Sequence, residues 1–289
     1  MAFREPSFDL QPRALTIAGF DPSAGAGVLA DFRTFAAFGF QAVAAITSVT
    51  FQNTAQVFGA RHQSAATVRA QLLPVLDEFR IVCAKIGMLP TREVVLEVVQ
   101  LYQEANLPGP VVDPVIMASS GQRLMDEEAL DCLVRELIPL SRLVTPNIPE
   151  AETLTGITIT SEADMKRAAA IIRGMGARAV LVKGGHLKRQ KAEGSRQEAG
   201  RSPTVRKGSK ARDEYEEAID VLDNEGEVTA FREPRIIEAG MHGSGCVLSS
   251  AIAAGLGKGL TLEDSVGRAK RFVLEAIRNS LSKGQRRNP

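Results

Sequence analysis

From residue 14 almost to the carboxyl terminus, short β-rich apolar runs alternate with segments whose apolar residues recur at helical spacing. The strand candidates are ALTIAG (14–19), AVAAIT (42–47), VCAKIG (82–87), VVDPV (111–115), RLVTPN (142–147) and AVLVKGG (179–185). Between them, VLADFRTFAAFG places Val28, Phe32, Phe35 and Ala36 on one helical face, and TREVVLEVVQLYQEA and SEADMKRAAAIIRGMG repeat the spacing. Thr91 with Glu93 and Ser161 with Asp164 supply capping chemistry at the starts of the latter two, and Gly39 and Gly174 sit where helices should stop. This alternation predicts βα units: an α/β fold with a central, mostly parallel sheet and helices on both faces. The strands end in polar or glycine residues. In an open parallel sheet ligands bind at that edge, so Asp113, Asn147 and Lys183 are expected along one rim.

One segment departs from the pattern. Residues 186–217 are polar, densely charged and nearly devoid of large apolar side chains, which predicts a flexible surface insertion at about 187–217. After it, AIDVLDNEGEVTAF reads as a hairpin turning at Asn224, Glu225 and Gly226.

A chain of 289 residues, 44% hydrophobic and with a formal net charge of +1, has the composition of a soluble globular protein. Its balanced charge offers no general footprint for nucleic acid or an anionic membrane, so small-molecule chemistry is favoured. Cys83, Cys132 and Cys246 are too few and too scattered for a disulfide framework or a zinc site, which fits a reducing cytoplasm. The amino terminus lacks the apolar core of a signal peptide, and no run reaches the roughly 18 apolar residues needed to span a bilayer.

The strongest chemical signal is EAGMHGSGCVLSSAIAAGLGKG (238–259), a glycine-rich turn running into a helix of small residues. There Gly243, Ser244 and Gly245 would present amides without intrahelical partners to an anion such as a transferring phosphate. A glycine cap on a tightly packed helix is the alternative. Cys246, in the first turn, occupies a position that depresses a thiol's pKa from about 8.5, so a thiolate able to take a substrate proton is expected. A buried, inert cysteine is the other reading. AGFDPSAGAGVLAD (18–31) follows a strand and precedes a helix, but its glycines do not match the dinucleotide fingerprint, and GLGKG (255–259) is not a P-loop. In TPNIPEAE, Asn147 and Glu150 suit either the water shell of Mg2+ beside phosphates or a helix cap. Asp113 is either a strand-end carboxylate or a turn-forming Asp-Pro, and Lys183 either a charge for a phosphate or a solvated lysine.

Taken in order, ALTIAGFDPSAGAGVLAD, FQNT, KIGMLP, DPVIMASSG, TPNIPEAE, VKGGH and HGSGC resemble the hydroxymethylpyrimidine and phosphomethylpyrimidine kinases of thiamine biosynthesis, within the ribokinase-like superfamily. The resemblance spans residues 14–282 and implies one kinase domain, leaving 1–13 and 283–289 as tails. It further implies ATP-dependent phosphorylation of 4-amino-5-hydroxymethyl-2-methylpyrimidine and then of its monophosphate, with ATP as co-substrate and Mg2+ as cofactor. By the same resemblance, Gln52 reads the aminopyrimidine, and Gly19, Ala26, Asp31, Met88 and Val115 line its pocket. Cys246 is the catalytic base, with Gly243, Ser244 and Gly245 as its anion hole. Asn147, Lys183 and Gly185 lie on the ATP side, and Asp113 and Glu150 on the metal side. The expected partners are the pyrimidine and ATP, without nucleic acid or membrane, in a chain that pairs as a homodimer. Phe20, Ala24 and Met241 depart from the family's usual residues. Pyridoxal kinase, which phosphorylates an analogous hydroxymethyl group, is the rival activity, and a catalytically silent pyrimidine-phosphate sensor the rival of another class.

Overall fold

The structure is a computed structural model that describes residues 9–53, 56–118, 121–185, 217–234 and 243–285. The expectations for the 187–217 insertion therefore lie outside the described residues up to 216, as do His186 and Met241. In chain order the elements are β1 (Asp9–Phe20), α1 (Gly27–Ala37), β2 (Gln41–Gln52), β3 (Val57–His62), α2 (Ala65–Glu78), β4 (Phe79–Ile86), α3 (Arg92–Glu104), β5 (Val111–Val112) and α4 (Glu127–Cys132). A π turn and a 3-10 turn extend α4, and β6 (Leu143–Val144), α5 (Ile148–Thr155), α6 (Glu162–Gly174) and β7 (Ala179–Lys183) follow. The chain then adds β8 (Glu217–Asn224), β9 (Glu227–Pro234), α7 (Ser244–Gly257) and α8 (Leu262–Gln285).

The strands form one sheet in the order β3-β2-β1-β4-β5-β6-β7-β8-β9. Pairing is parallel from β2 through β7 and antiparallel for β3 at one edge and for β8 and β9 at the other. Alternate residues of each inner strand enter opposite cores. Leu15, Ile17 and Val144 pack with α2 to α6, whereas Ala14, Leu143 and Leu181 pack with α1, α7 and α8. Helix α7 is buried over Ser249, Ser250 and Ala251–Gly255, which explains its small residues and weak amphipathicity.

Several boundaries differ from the sequence reading. Strand β1 begins at Asp9, inside the expected tail, because Asp9 and Arg13 pair with Phe79 and Ile81 of β4. Helix α8 likewise continues into the other expected tail as far as Gln285, and Glu217 of the expected insertion opens β8. Strands β5 and β6 stop at two residues each because their neighbours, Asp113 and Thr145–Asn147, turn into the site. On α1 the buried set is Val28, Ala30, Asp31, Thr34 and Phe35, while Phe32 and Ala36 face solvent. The face is rotated because Asp31 and Thr34 find buried partners, a preference that hydrophobic spacing does not report. Strand β3, absent from the strand candidates, is an edge strand with mixed burial and little periodic signal. The expected hairpin is present, with Glu225 and Gly226 at φ 56 and 103, the two positive angles a tight hairpin turn requires.

The strand order reverses between β1 and β4. β1 continues to β2 on one side and has β4 on the other, so a crevice opens at the carboxyl ends of these two strands. Into it lead Gly19 and Phe20, Gly87 and Met88, and, further along the rim, Asp113, Asn147 and Lys183.

Candidate active site

After β1 the chain turns through residues 21–26, and Asp21 holds that turn. Its carboxylate accepts from the amides of Ser23, Gly25 and Ala26 at 2.8, 3.0 and 2.8 Å and from the Ser23 hydroxyl at 2.7 Å. The Gln52 side chain at the end of β2 is a further partner. Burial works to raise the Asp21 carboxyl, but the hydrogen bonds from Ser23, Gln52 and Ala26 outweigh it and hold the group below its ordinary value. Ala24 adopts φ 58, a conformation that costs a residue with a Cβ roughly 1–2 kcal/mol, so Ala24 strains the turn. Gly27, at φ 59, has no such latitude: a Cβ there would lie 2.2 Å from the Gly19 carbonyl oxygen.

The amino terminus of α7 sits directly against this turn. Gly243 is its N-cap at φ 84, with no side-chain cap, and the first intrahelical bond runs from Val247 N–H to the Gly243 carbonyl. The amides of Ser244, Gly245 and Cys246 thus lack intrahelical partners and lie at the positive end of the helix dipole. Cys246 is half-buried, and the Gly27 amide donates toward its sulfur. The expected depressed thiol pKa is not what the structure supports. Burial pushes the Cys246 thiol up to about 11, with Asp113 and Asp31 adding to the rise against the opposing pull of Lys85 and the Gly27 amide. Helix position alone suggested a thiolate, whereas the surrounding protein keeps a thiol.

Beside the helix end lies a charged cluster. Lys183 Nζ donates to Asp113 Oδ1 at 2.7 Å, and Asp113 also accepts from the Thr145 hydroxyl at 3.2 Å and the Ser249 hydroxyl at 3.5 Å. Lys183 is therefore an ion-paired lysine, not a solvated one. Burial disfavours its charge, but Asp113 and Glu150 outweigh that and hold its pKa above the ordinary value. A Cβ on Gly245 would come within 3.1 Å of Lys183 Nζ, so the absence of a side chain lets the lysine reach the helix end. Gly184 is also confined, since a Cβ there would lie 2.0 Å from the Ile219 carbonyl oxygen, whereas among the described residues nothing lies within 4 Å of a Cβ on Gly185.

Asn147 and Glu150 form a full capping box on α5. Asn147 Oδ1 accepts from the Glu150 amide at 2.9 Å, and Glu150 Oε2 accepts from the Asn147 amide at 2.8 Å. The capping alternative is thus realised for both residues. Burial, reinforced by Asp113, pushes the Glu150 carboxyl up to about 7 in spite of Lys183 and the Asn147 amide. Among the described residues no cluster of three or more His, Cys, Asp or Glu side chains can hold a metal by itself.

Of the residues expected to line the ring pocket, Gly19, Ala26, Gln52, Met88 and Val115 lie at or just beyond the carboxyl ends of β1, β2, β4 and β5 or at the start of α1. A Cβ on Gly19 would sit 3.2 Å from the Met88 sulfur, which shows how closely β1 and the turn after β4 approach. Asp31 is different. It is fully buried, with its oxygens taken by Thr16, Lys85 and Ser250, so its carboxylate lies beneath the pocket instead of in it. Two residues that sequence reasoning did not single out are central. Asp21 lay within the glycine-rich motif, where only its many amide partners reveal its role. Lys85 carried a readable signal, a lone charge inside the apolar run VCAKIG.

The family model of phosphomethylpyrimidine kinase matches residues 21–289. The hydroxymethylpyrimidine/phosphomethylpyrimidine kinase of Aquifex aeolicus is 38% identical over 272 residues, which cover 94% of this chain and 96% of that one. The crystal structure of phosphomethylpyrimidine kinase from Clostridium difficile superposes with a TM-score of 0.73 at 35% identity, covering 92% of this chain and 100% of that chain. Pyridoxal kinase from Staphylococcus aureus in complex with AMP-PCP superposes with a TM-score of 0.78 at 27% identity, covering 94% of this chain and 90% of that chain. By the extent of the family match and by identity over nearly its whole length, the chain belongs to the phosphomethylpyrimidine kinase family.

Proposed function

We propose that this kinase uses ATP to phosphorylate 4-amino-5-hydroxymethyl-2-methylpyrimidine and then its monophosphate, as a step toward thiamine. The observation that carries the reading is the juxtaposition of three features at the start of α7: its open amides, the paired Lys183 beside Gly245, and Cys246 against the Gly27 amide at the turn that follows β1. Gln52 suits the aminopyrimidine because a side-chain amide both donates and accepts, and Asp21 fixes its orientation.

In this mechanism the amides of Ser244, Gly245 and Cys246 hold the oxygens of the phosphoryl group in transit, and Lys183 neutralises their charge. Asp113 keeps Lys183 in place and charged. The form of Cys246 that acts is its thiolate, a minor species at neutral pH because the thiol pKa stands at about 11. That thiolate takes the proton of the acceptor hydroxyl as the hydroxyl oxygen bonds to phosphorus, and the resulting thiol releases it to solvent after turnover. Asp113 and Glu150 fit a hydrated divalent cation and would hold it: both are carboxylates near the rim, Asp113 disfavours the charge of Glu150, and a bound cation would relieve that. When bound, Mg2+ neutralises phosphate charge. A cytoplasmic location, with three free cysteines, and a homodimer using the exposed Phe51 and Phe58 beside edge strand β3 belong to the same reading.

The test is mass spectrometry of the products formed with Mg-ATP from each ring substrate. The pyrimidine should yield a monophosphate and then a diphosphate. Turnover of pyridoxal without turnover of the pyrimidine would move the chain to the rival activity, and ligand binding without turnover of either would leave the silent sensor.

The two phosphorylations differ in their need for a base. A hydroxyl must lose a proton, whereas the monophosphate acceptor, with a second pKa near about 6, is already ionised at neutral pH. Cys246→Ala should therefore lower kcat of the first step by about 10^2 and leave the second nearly unchanged. Wild-type kcat for the first step should also climb with pH toward the thiol's value of about 11, a slope absent from the variant. Separate rate measurements on the alcohol and on the monophosphate check this, and equal losses in both steps would count against a base role.

A further inference from the structure

Beneath the rim lies a buried ion pair that the mechanism above does not use. Asp31 Oδ2 accepts from the Thr16 hydroxyl at 2.6 Å and from Lys85 Nζ at 3.0 Å. Its Oδ1 accepts from the Ser250 hydroxyl at 2.7 Å and from Lys85 Nζ at 3.1 Å. Both charged side chains are wholly shielded from solvent. Four elements meet at this carboxylate: β1 through Thr16, α1 through Asp31, β4 through Lys85 and α7 through Ser250. A buried ion pair is a poor source of stability, since apolar residues of the same volume often do as well or better. What it supplies is direction, because an apolar contact lets two helices slide where hydrogen bonds to fixed oxygens do not.

The helical period shows what is being directed. Asp31 stands four residues after Gly27 on α1, and Ser250 four residues after Cys246 on α7, so each pair shares one helical face. The two helices therefore meet at two rungs. The upper joins the Gly27 amide to the Cys246 sulfur, and the lower joins Asp31 to Ser250 with Lys85 as counter-ion. Lys85 also abuts the turn after β4, since a Cβ on Gly87 would lie 2.8 Å from its Nζ. We infer that Asp31, Lys85 and Ser250 are positioning residues that set the register of α7 against α1 and thereby aim the Cys246 sulfur at the acceptor hydroxyl. The inference rests on the reading of Cys246 as the proton acceptor.

Ser250→Ala provides the test, because it removes only the hydroxyl of the lower rung and keeps a strong helix former at a buried small-residue site. The expected result is a fall of about 10-fold in kcat for phosphorylation of the alcohol, with KM for ATP and for the pyrimidine held within about twofold, as for a small misalignment of a reacting group. In a Cys246→Ala background the same substitution should change kcat by less than about twofold, since the rung acts through the sulfur. Lys85→Met should give the same pattern with a larger first loss; if it does not fold, the Ser250→Ala cycle decides alone. An unchanged kcat in Ser250→Ala, or equal losses with and without the cysteine, would overturn the positioning role while leaving the base role intact. Wild-type kcat in Cys246→Ala would remove both.

Discussion

Gly243→Ala should abolish most of the kinase activity, lowering kcat by about 10^2 to 10^3, the loss typical of removing even one donor from an anion hole. The residue sits at φ 84, which costs a side chain roughly 1–2 kcal/mol by itself. The larger effect is steric. A Cβ would fall 1.9 Å from the Gly25 carbonyl oxygen and 3.0 Å from Ala26 Cα, and both are backbone that no rotamer change can move. Either α7 retreats, carrying the Ser244–Cys246 amides with it, or the 21–26 turn shifts and Asp21 loses its amides and its hold on Gln52. Both routes separate the phosphate side from the ring side, so kcat should fall more than the thermal midpoint. Activity assays beside a melting curve check this. Near-wild-type kcat would mean that the two segments do not need their present contact.

Glu150→Gln should make the ligand-free protein more stable at pH 8 by up to about 3 kcal/mol and change it little at pH 4.5, a gap that only a raised folded-state pKa produces. The ordinary value is 4.5 and the folded value is about 7. Below the first, folded and unfolded chains are both protonated and the group contributes nothing. Between the two, the unfolded chain releases its proton while the folded chain keeps it, so stability falls as pH rises and levels off above about 7. Glutamine removes that loss and preserves the cap, because its amide oxygen can still accept from the Asn147 amide. The carboxylate proposed to hold the cation is lost, so activity should drop as stability rises. Denaturant melts at the two pH values measure the gap, and a benefit independent of pH would show that Glu150 titrates alike in the folded and the unfolded chain.

Much of the framework was legible in the residues. Strand-period and helix-period segments sufficed for a mostly parallel sheet between helices, since those periods arise from local backbone geometry. The hairpin turn and the caps at Thr91 and Ser161 were readable for the same reason: they depend on a few consecutive residues. Strand β3 was not, because an edge strand with one partner needs no strong apolar pattern.

The site divides along the same line. The glycine-rich start of α7 and the ordered set of motifs named the chemistry from the sequence alone, because open amides follow from chain geometry at a helix start. Electrostatics did not follow. Cys246 read as a low-pKa thiol from its helix position, but burial and the carboxylates of Asp113 and Asp31, 133 and 215 residues away along the chain, reverse that. Asp31 read as a pocket residue, and only packing places it beneath the pocket with Lys85, Thr16 and Ser250. Sequence spacing by itself determined which groups stand at the ends of strands and helices. Only the tertiary structure decided which of them carry charge and which are buried among partners, because both depend on desolvation and on groups brought together from distant parts of the chain.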